Sequence, residues 1–400
     1  MSAPLPPPPA SAIATVQPAT LRVCTRCVMD TTDPDITFDP AGVCKHCHDH
    51  DRLVREFVFN GEDGRCRLAA LVAQIKRDGV GRKYDCVIGV SGGVDSTFVA
   101  YKVKQLGLRP LAVHLDNGWN SEIAVSNVSA ILKHLDIDLQ THVIDWEEFK
   151  DIQLAFLRAG VADCEIPSDH AIVACVHDVA DREGVRHTVW GYNFKSETHL
   201  PSSWSRGHLD WGYFRAVHQR YGSGRVKTFP KIGFVSYMTS LRFLHPRTML
   251  LNYIDYSKSE ATKVIQRELG WRNYGGKHHE SIYTRWYQGW FLPKRWGYDK
   301  RKSHLSSLIC SGQKTREAAL EELAEPTYDP DLQRSDTEYV KKKFGLSDTE
   351  FDQIMALPKR SFYDFPSYWK LEHGPAYRFS LRCYQFFKYD LRGRQRKQTK

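Results

Sequence analysis

The stretch Ser91-Gly92-Gly93-Val94-Asp95-Ser96-Thr97 combines the residue types that hold an anion. Two adjacent glycines permit a tight turn whose successive backbone N–H groups face one point, and the hydroxyls of Ser91, Ser96 and Thr97 add donors. A short apolar run, Asp85–Val90, precedes the loop, and helical spacing at Val99, Val103 and Leu106 follows it. The loop therefore opens a helix, whose partial positive charge favours phosphate. No lysine follows the second glycine, so this is not the G-x-x-x-x-G-K-[ST] loop. Asp95 would be repelled by phosphates unless Mg²⁺ bridged carboxylate and phosphate oxygens. A plain serine-glycine turn is the alternative reading.

A second constellation is Cys24, Cys27, Cys44 and Cys47, spaced C-x2-C-x16-C-x2-C. Each pair turns two sulfurs toward one point, which is the pattern of a tetrahedral zinc tetrathiolate. A pair of disulfides is the rival, disfavoured in a reducing compartment. His46 and His48 flank the second pair, but four thiolates leave them no vacancy. Such a closed site staples a module and performs no chemistry. The remaining cysteines, Cys66, Cys86, Cys164, Cys175, Cys310 and Cys383, are scattered.

To place the phosphate loop, the chain must supply strands that end where it begins. Runs at Asp85–Val90, Pro110–Asp116, Gln140–Ile144, His187–Gly191 and Thr248–Ile254 read as strands. Between them, Val128, Ile131, Leu132 and Leu135 form one helical stripe. Ile172, Val176 and Val179 form another, behind Ser168 as its N-cap. This alternation predicts an α/β fold with a doubly wound parallel sheet, whose ligand site lies beyond the strands' carboxyl ends. Asp116, Gly191 and Asn193 end the second and fourth strands and would share one mouth with the loop, although turn chemistry alone could account for them. The aromatic, glycine-rich and basic residues 195–245 read as an insertion over that edge. Ser257 with Glu260, and Ser347 with Glu350, read as capping boxes in a mostly helical final third. The expected organisation is a leader at 1–20, a zinc module and linker helix at 21–82, the nucleotide domain at 83–270, a helical and aromatic region at 271–390 and a basic tail at 391–400.

Four hundred residues exceed one compact core, and 42% hydrophobic content with a mean hydropathy of −0.47 describes a globular chain. No run approaches the ~20 apolar residues of a bilayer span, and the Pro/Ala-rich start has neither a basic nor an apolar signal region. A cytoplasmic location is the expectation. Of the formal +9 charge, Arg392, Arg394, Arg396, Lys397 and Lys400 supply five, so the body is only mildly basic and nucleic acid is not an expected partner.

The S-G-G-x-D-S loop resembles that of the N-type ATP pyrophosphatases. In that family the loop grips the β,γ-pyrophosphate of ATP, Asp116 falls where adenosine is recognised, and AMP passes to a carbonyl oxygen. The resemblance implies the fold of that superfamily, with ATP and Mg²⁺ as cofactors beside Zn²⁺. The order of the knuckles, YDCVIGVSGGVDST, HLDNGWNSEIAVSN, WGYNFKSE and NYGGKHHESIYTRWYQGWFLPKRWGYDKRKSHLSSLICSGQKTREAAL is more specific. From Cys24 to Leu357 it resembles the N-acetyl sugar amidotransferases of bacterial surface-polysaccharide assembly. That resemblance implies conversion of an acetamido group on a nucleotide-linked sugar into an acetamidino group. It also implies ammonia from a separate glutaminase subunit, with an ammonia-conducting barrel protein beside it; free ammonium is the alternative supply.

Adenylating the amide oxygen makes AMP a leaving group that ammonia displaces, and the charge developing on phosphate calls for fixed cations. Lys195, Glu197, Lys277, His278, Glu280, Arg285, Lys300 and Arg301 are the candidates. Lys277 and Arg301 are read on phosphate or a substrate carboxylate, Glu280 as orienting ammonia or the amide, and His278 as a proton acceptor. Solvated surface charge is the ordinary alternative for each, as packing is for the many aromatics. The rival enzyme is a tRNA-thiolating one, which needs one or two reactive cysteines near the mouth or an iron–sulfur cluster. A non-enzymatic nucleotide-holding module is the third reading.

Overall fold

The computed structural model describes residues 21–238, 247–275 and 279–369. The expected leader, the basic tail, Lys277 and His278 lie outside the described residues.

Five strands form one parallel sheet: β1 Cys86–Gly89, β2 Pro110–Asp116, β3 Asp138–Val143, β4 His187–Trp190 and β5 Arg247–Met249, in the order β3-β2-β1-β4-β5. Successive residues of a strand face opposite sides, and the core divides accordingly. Val87, Leu111, Val113 and Leu115 look into one apolar layer, while Ile88 and Ala112 look into the other. Helices cover both faces, so the expected doubly wound fold is the observed one. β3 is an edge strand with largely exposed residues, which explains its mixed composition.

Helices α1 Lys45–Phe57 and α2 Gly61–Asp78 precede the sheet, and α3 Val94–Gln105 and α4 Glu122–His134 follow β1 and β2. Next come α5 Trp146–Ala159 and α6 Ile166–Arg182 before β4, and α7 Trp211–Tyr221 and α8 Phe234–Met238 before β5. α9 Lys258–Leu269 returns to the sheet and packs with α2, α3 and α4 over Ile88. The final third is helical: α10 Ile282–Trp286, a π turn at Tyr287–Phe291, α11 Leu292–Trp296, α12 Lys300–Cys310, α13 Arg316–Ala324, α14 Pro330–Phe344 and α15 Asp348–Ala356. It packs with α5 and α6 on the opposite face, where Tyr283, Trp286, Tyr287 and Phe291 are core residues. Their rings therefore pack on one another, at 5.1 to 5.7 Å for Tyr283–Trp286, Tyr283–Tyr287 and Trp286–Phe291, as part of the core.

Local expectations need three corrections. The fifth strand stops at Met249, and the buried pair Leu250 and Leu251 enters a 3₁₀ turn over Leu250–Tyr253. A short apolar run carries no period that separates these outcomes. Ser168 does not cap α6, which starts at Ile166 behind Glu165 with Pro167 in its first turn; its hydroxyl accepts from Asn117 Nδ2 at 3.0 Å instead. Ser257 makes no side-chain cap, whereas the reciprocal box of Ser347 and Glu350 is complete. The 195–245 insertion contributes core: Trp211 stacks on Phe214 at 4.6 Å, Phe214 on Phe229 at 5.0 Å and Trp204 on Tyr298 at 5.0 Å.

Candidate active site at the carboxyl ends of the strands

Strand order reverses about β1, so a crevice opens where the ends of β1 and β4 diverge, the usual ligand position in such sheets. The 91–97 loop and Gly191 meet there. Gly92 has φ +81°, and a Cβ on it would sit 2.8 Å from the Ala124 carbonyl oxygen. A Cβ on Gly191 would sit 3.1 to 3.2 Å from the backbone and Cβ of Asp95. Glycine is thus required at 92 by conformation and close approach, and at 191 a Cβ would be tight against Asp95. Ser96 Oγ lies 3.2 Å from Ser91 Oγ and donates to the Gly93 carbonyl at 3.2 Å, closing the loop on itself. Trp271 Nε1 donates to the Gly92 carbonyl at 2.9 Å, and the Tyr256 hydroxyl donates to Asp95.

Ser91, Gly93, Asp95, Ser96 and Gly191 line a small recess of about 170 Å³ with Glu197, Lys258, Tyr274 and Glu280. Tyr274 hydrogen-bonds Glu280, which places that carboxylate beside Gly93. Lys258 went unnoticed in the sequence; its position at the first residue of α9, behind a serine, is the signal that could have found it.

The recess adjoins a cavity of about 490 Å³ whose lining includes Ser91, Ser96, Gly191, Glu197 and Glu280. At its far side Lys300 Nζ is 2.9 Å from Glu165, and Gln288 donates to the same carboxylate at 2.6 Å. Burial opposes the ammonium, but the charges of Glu165 and Asp163 outweigh it and raise Lys300 above its ordinary range. Nearby, His208 Nε2 lies 3.2 Å from Asp163 and 3.3 Å from Asp169. Burial again opposes protonation, yet the Asp163 hydrogen bond and the two carboxylate charges raise His208 to about 9. The cavity thus presents a fixed ammonium and an imidazolium at neutral pH.

Several expected residues stand elsewhere. Arg301 is turned away: it pairs with Asp299 at 2.8 Å and donates to the Glu322 and Glu325 carbonyls at the end of α13. Arg285 is bound to Asp336 at 2.7 Å, and Lys195 donates to Asn60 at 2.8 Å. Thr97 is buried beneath the loop. Asn193 is fully buried, its oxygen accepting from the backbone and hydroxyl of Ser196. Asp116 accepts from the Gly118 N–H at 2.9 Å, and the residues of that strand end that line the cavity are His114, Leu115 and Asn117. Of the described cysteines, Cys175 lines the cavity, but burial pushes its thiol up to about 12. A protonated thiol is a poor sulfur carrier.

Cys24, Cys27, Cys44 and Cys47 are wholly buried. Their sulfurs are 3.9 Å apart for Cys24–Cys47 and 3.7 Å for Cys27–Cys44 and Cys44–Cys47. A tetrahedron with Zn–S arms of ~2.3 Å has edges of about 3.8 Å, so the four thiolates fit a zinc ion. Cys310 Sγ is 3.6 Å from both Cys47 Sγ and His199 Nε2, a neighbourhood the spacing did not reveal. Arg316 of the Gln313-Lys314-Thr315-Arg316 motif donates to the Cys24 and Cys27 carbonyls at 3.2 and 3.1 Å. Lys302 pairs with Asp30, and Ser306 accepts from the Val28 N–H at 3.2 Å. The knuckles are therefore clamped to α12, the helix whose first residue is Lys300.

Residues 280–374 match the family described as LPS biosynthesis protein WbpG-like, C-terminal domain. This segment carries Glu280, Gln288 and Lys300. Among curated proteins, the chain is 25% identical over 171 residues to an uncharacterised protein of Methanocaldococcus jannaschii, covering 42% of this chain and 58% of that one. It is 38% identical over 84 residues to the glutamine-hydrolysing GMP synthase of Pyrobaculum aerophilum, covering 20% of this chain and 15% of that one. The chain thus spans little more than half of the first relative and a small part of the second. Among solved structures, the NMN synthetase of Francisella tularensis aligns with a TM-score of 0.32 at 12% identity, over 70% of this chain and 96% of that one. The NH3-dependent NAD synthetase of Campylobacter jejuni aligns with a TM-score of 0.31 at 15% identity, over 71% and 97%. No helix among the described residues is long and apolar enough to cross a membrane.

Proposed function

We propose that this protein is an ATP-dependent amidotransferase acting on an N-acetylated, nucleotide-linked sugar. The acetamido oxygen attacks the α-phosphorus of ATP, the bond to the β-phosphate breaks, and pyrophosphate leaves. Ammonia adds to the imidate carbon, the C–O bond to AMP breaks, and an acetamidino sugar forms. The observation that carries this reading is the junction of the 91–97 loop with a cavity that Glu280 and Lys300, both of the WbpG-like segment, also line. The loop would hold the departing pyrophosphate with Lys258 beside it, and Asp95, oriented by Tyr256, would hold Mg²⁺, which neutralises phosphate charge when bound.

Glu280 would orient the incoming ammonia or the amide and accept a proton from it. Lys300, one of the candidate cations of the sequence, supplies positive charge in the cavity, whereas Arg301 is turned away from it. Ammonia from a glutaminase subunit, passed through a barrel partner, belongs to the same proposal and rests on the motif order. So does a cytoplasmic location, where ATP is available.

The test is a panel of acetamido nucleotide sugars with ATP, Mg²⁺ and ammonium. One member should give AMP and pyrophosphate in equal amounts, with a mass loss of about 1 Da in the sugar as O is replaced by NH. Asp95→Ala should lower the rate at least ~10²-fold with zinc content unchanged. Pyrophosphate release dependent on tRNA and a sulfur donor, with none from any sugar, would favour thiolation instead.

A further inference from the structure

A second chamber, of about 600 Å³, lies against the cavity just described and shares Asp169, Ile172, Trp190 and His208 with it. Its charges are unbalanced in a particular way. The acidic groups are engaged: Asp169 faces His208, and Asp210 accepts from the Tyr213 and Tyr368 N–H groups at 2.8 and 2.7 Å. Among the described residues, neither guanidinium group has a carboxylate partner. Arg206 has no carboxylate in pairing distance among the described residues and lies among the rings of Phe362, Tyr363 and Trp369, 5.3 to 5.7 Å from their centroids.

Arg247, over Trp190, has Nε and Nη2 buried without an acceptor among the described residues. A buried guanidinium N–H without an acceptor is costly, and it marks a place where an anion completes the structure. Two forked donors suit the paired oxygens of phosphate groups, and aromatic rings in the lining suit a planar base. The volume is in the range of small-molecule sites.

We propose that this chamber binds the nucleoside diphosphate part of the acceptor, with Arg206 and Arg247 on the phosphates and the rings near Trp369 against the base. This rests on the proposed function and adds where the acceptor's handle sits. The sugar end then points across the shared wall toward the 91–97 loop. It also gives the end of the WbpG-like segment, which supplies Phe362, Tyr368 and Trp369, a recognition role.

The experiment is calorimetry on the full chain saturated with a non-hydrolysable ATP analogue and Mg²⁺, titrated with UDP and, in parallel, GDP. At least one diphosphate should bind alongside the analogue, and Arg206→Gln should weaken it 10-fold or more while analogue affinity stays within twofold. Trp369→Ala should weaken the diphosphate without weakening inorganic pyrophosphate. Arg247→Lys, which keeps the charge if Arg247→Gln fails to fold, should weaken binding less than Arg206→Gln. Competition between diphosphate and analogue, no diphosphate binding, or binding unchanged in Arg206→Gln would each overturn the proposal. Failure of the analogue to bind would instead strike the proposed function, and an Arg206-dependent diphosphate site would survive it.

Discussion

At the scale of single residues, the site is built from charges that hold one another in place. Lys300 and Glu165 are both largely buried, so each needs the other. Lys300→Met should cost about 3–5 kcal/mol in urea unfolding because it strands a buried carboxylate. Adding Glu165→Gln should recover most of that stability and none of the pyrophosphate release. Full activity in the double variant would remove Lys300 from the chemistry. His208 makes a pH-dependent contribution of known sign. Its protonated form is favoured in the folded chain, so its stabilisation is complete below an unfolded value near 6.5 and fades as pH rises through about 9. His208→Asn should therefore destabilise by about 1–2 kcal/mol at pH 6, after allowance for partial exposure, and by almost nothing at pH 10. A difference constant between those values would contradict the assignment.

At the scale of elements, the four-cysteine knuckles are joined to the cavity's Lys300 through α12. Arg316, Lys302 and Ser306 join that helix and its neighbour to the knuckle backbone, and Lys300 projects from the helix start. Arg316→Ala removes two hydrogen bonds to knuckle carbonyls and should cost about 1–3 kcal/mol. It should also speed zinc loss to a chelator and slow catalysis, an effect that extra zinc would partly reverse. Unchanged chelation kinetics would separate the module from the site. The sequence disclosed these elements unevenly. Strands β1, β2 and β4 were legible because short apolar runs ended at chemically distinctive residues. β5 was overextended, because Leu250 and Leu251 are apolar for burial rather than for strand pairing. Ser168 looked like a cap, but the helix starts earlier, at Ile166 with Pro167 in its first turn, and the Ser168 hydroxyl accepts from Asn117.

At the scale of the whole molecule, the doubly wound sheet, the four thiolates and the loop at the switch point were all readable from motif order. The pairing partners were not. Arg301 and Lys300 are adjacent in sequence, and only the fold reveals that one clamps α13 while the other enters the cavity. Likewise, His208 and Asp163 lie far apart in the chain, and Arg206 and Arg247 gain significance only because they line one chamber in which neither has a carboxylate partner among the described residues. Charge accounting in three dimensions thus complements spacing in one. The central claim, adenylyl transfer to an acetamido oxygen, is tested most directly by labelling that oxygen with ¹⁸O and examining the products by mass spectrometry. The account predicts one ¹⁸O atom in the phosphate of AMP and none in the sugar product; label retained in the sugar, or ATP cleaved to ADP and phosphate, would contradict it.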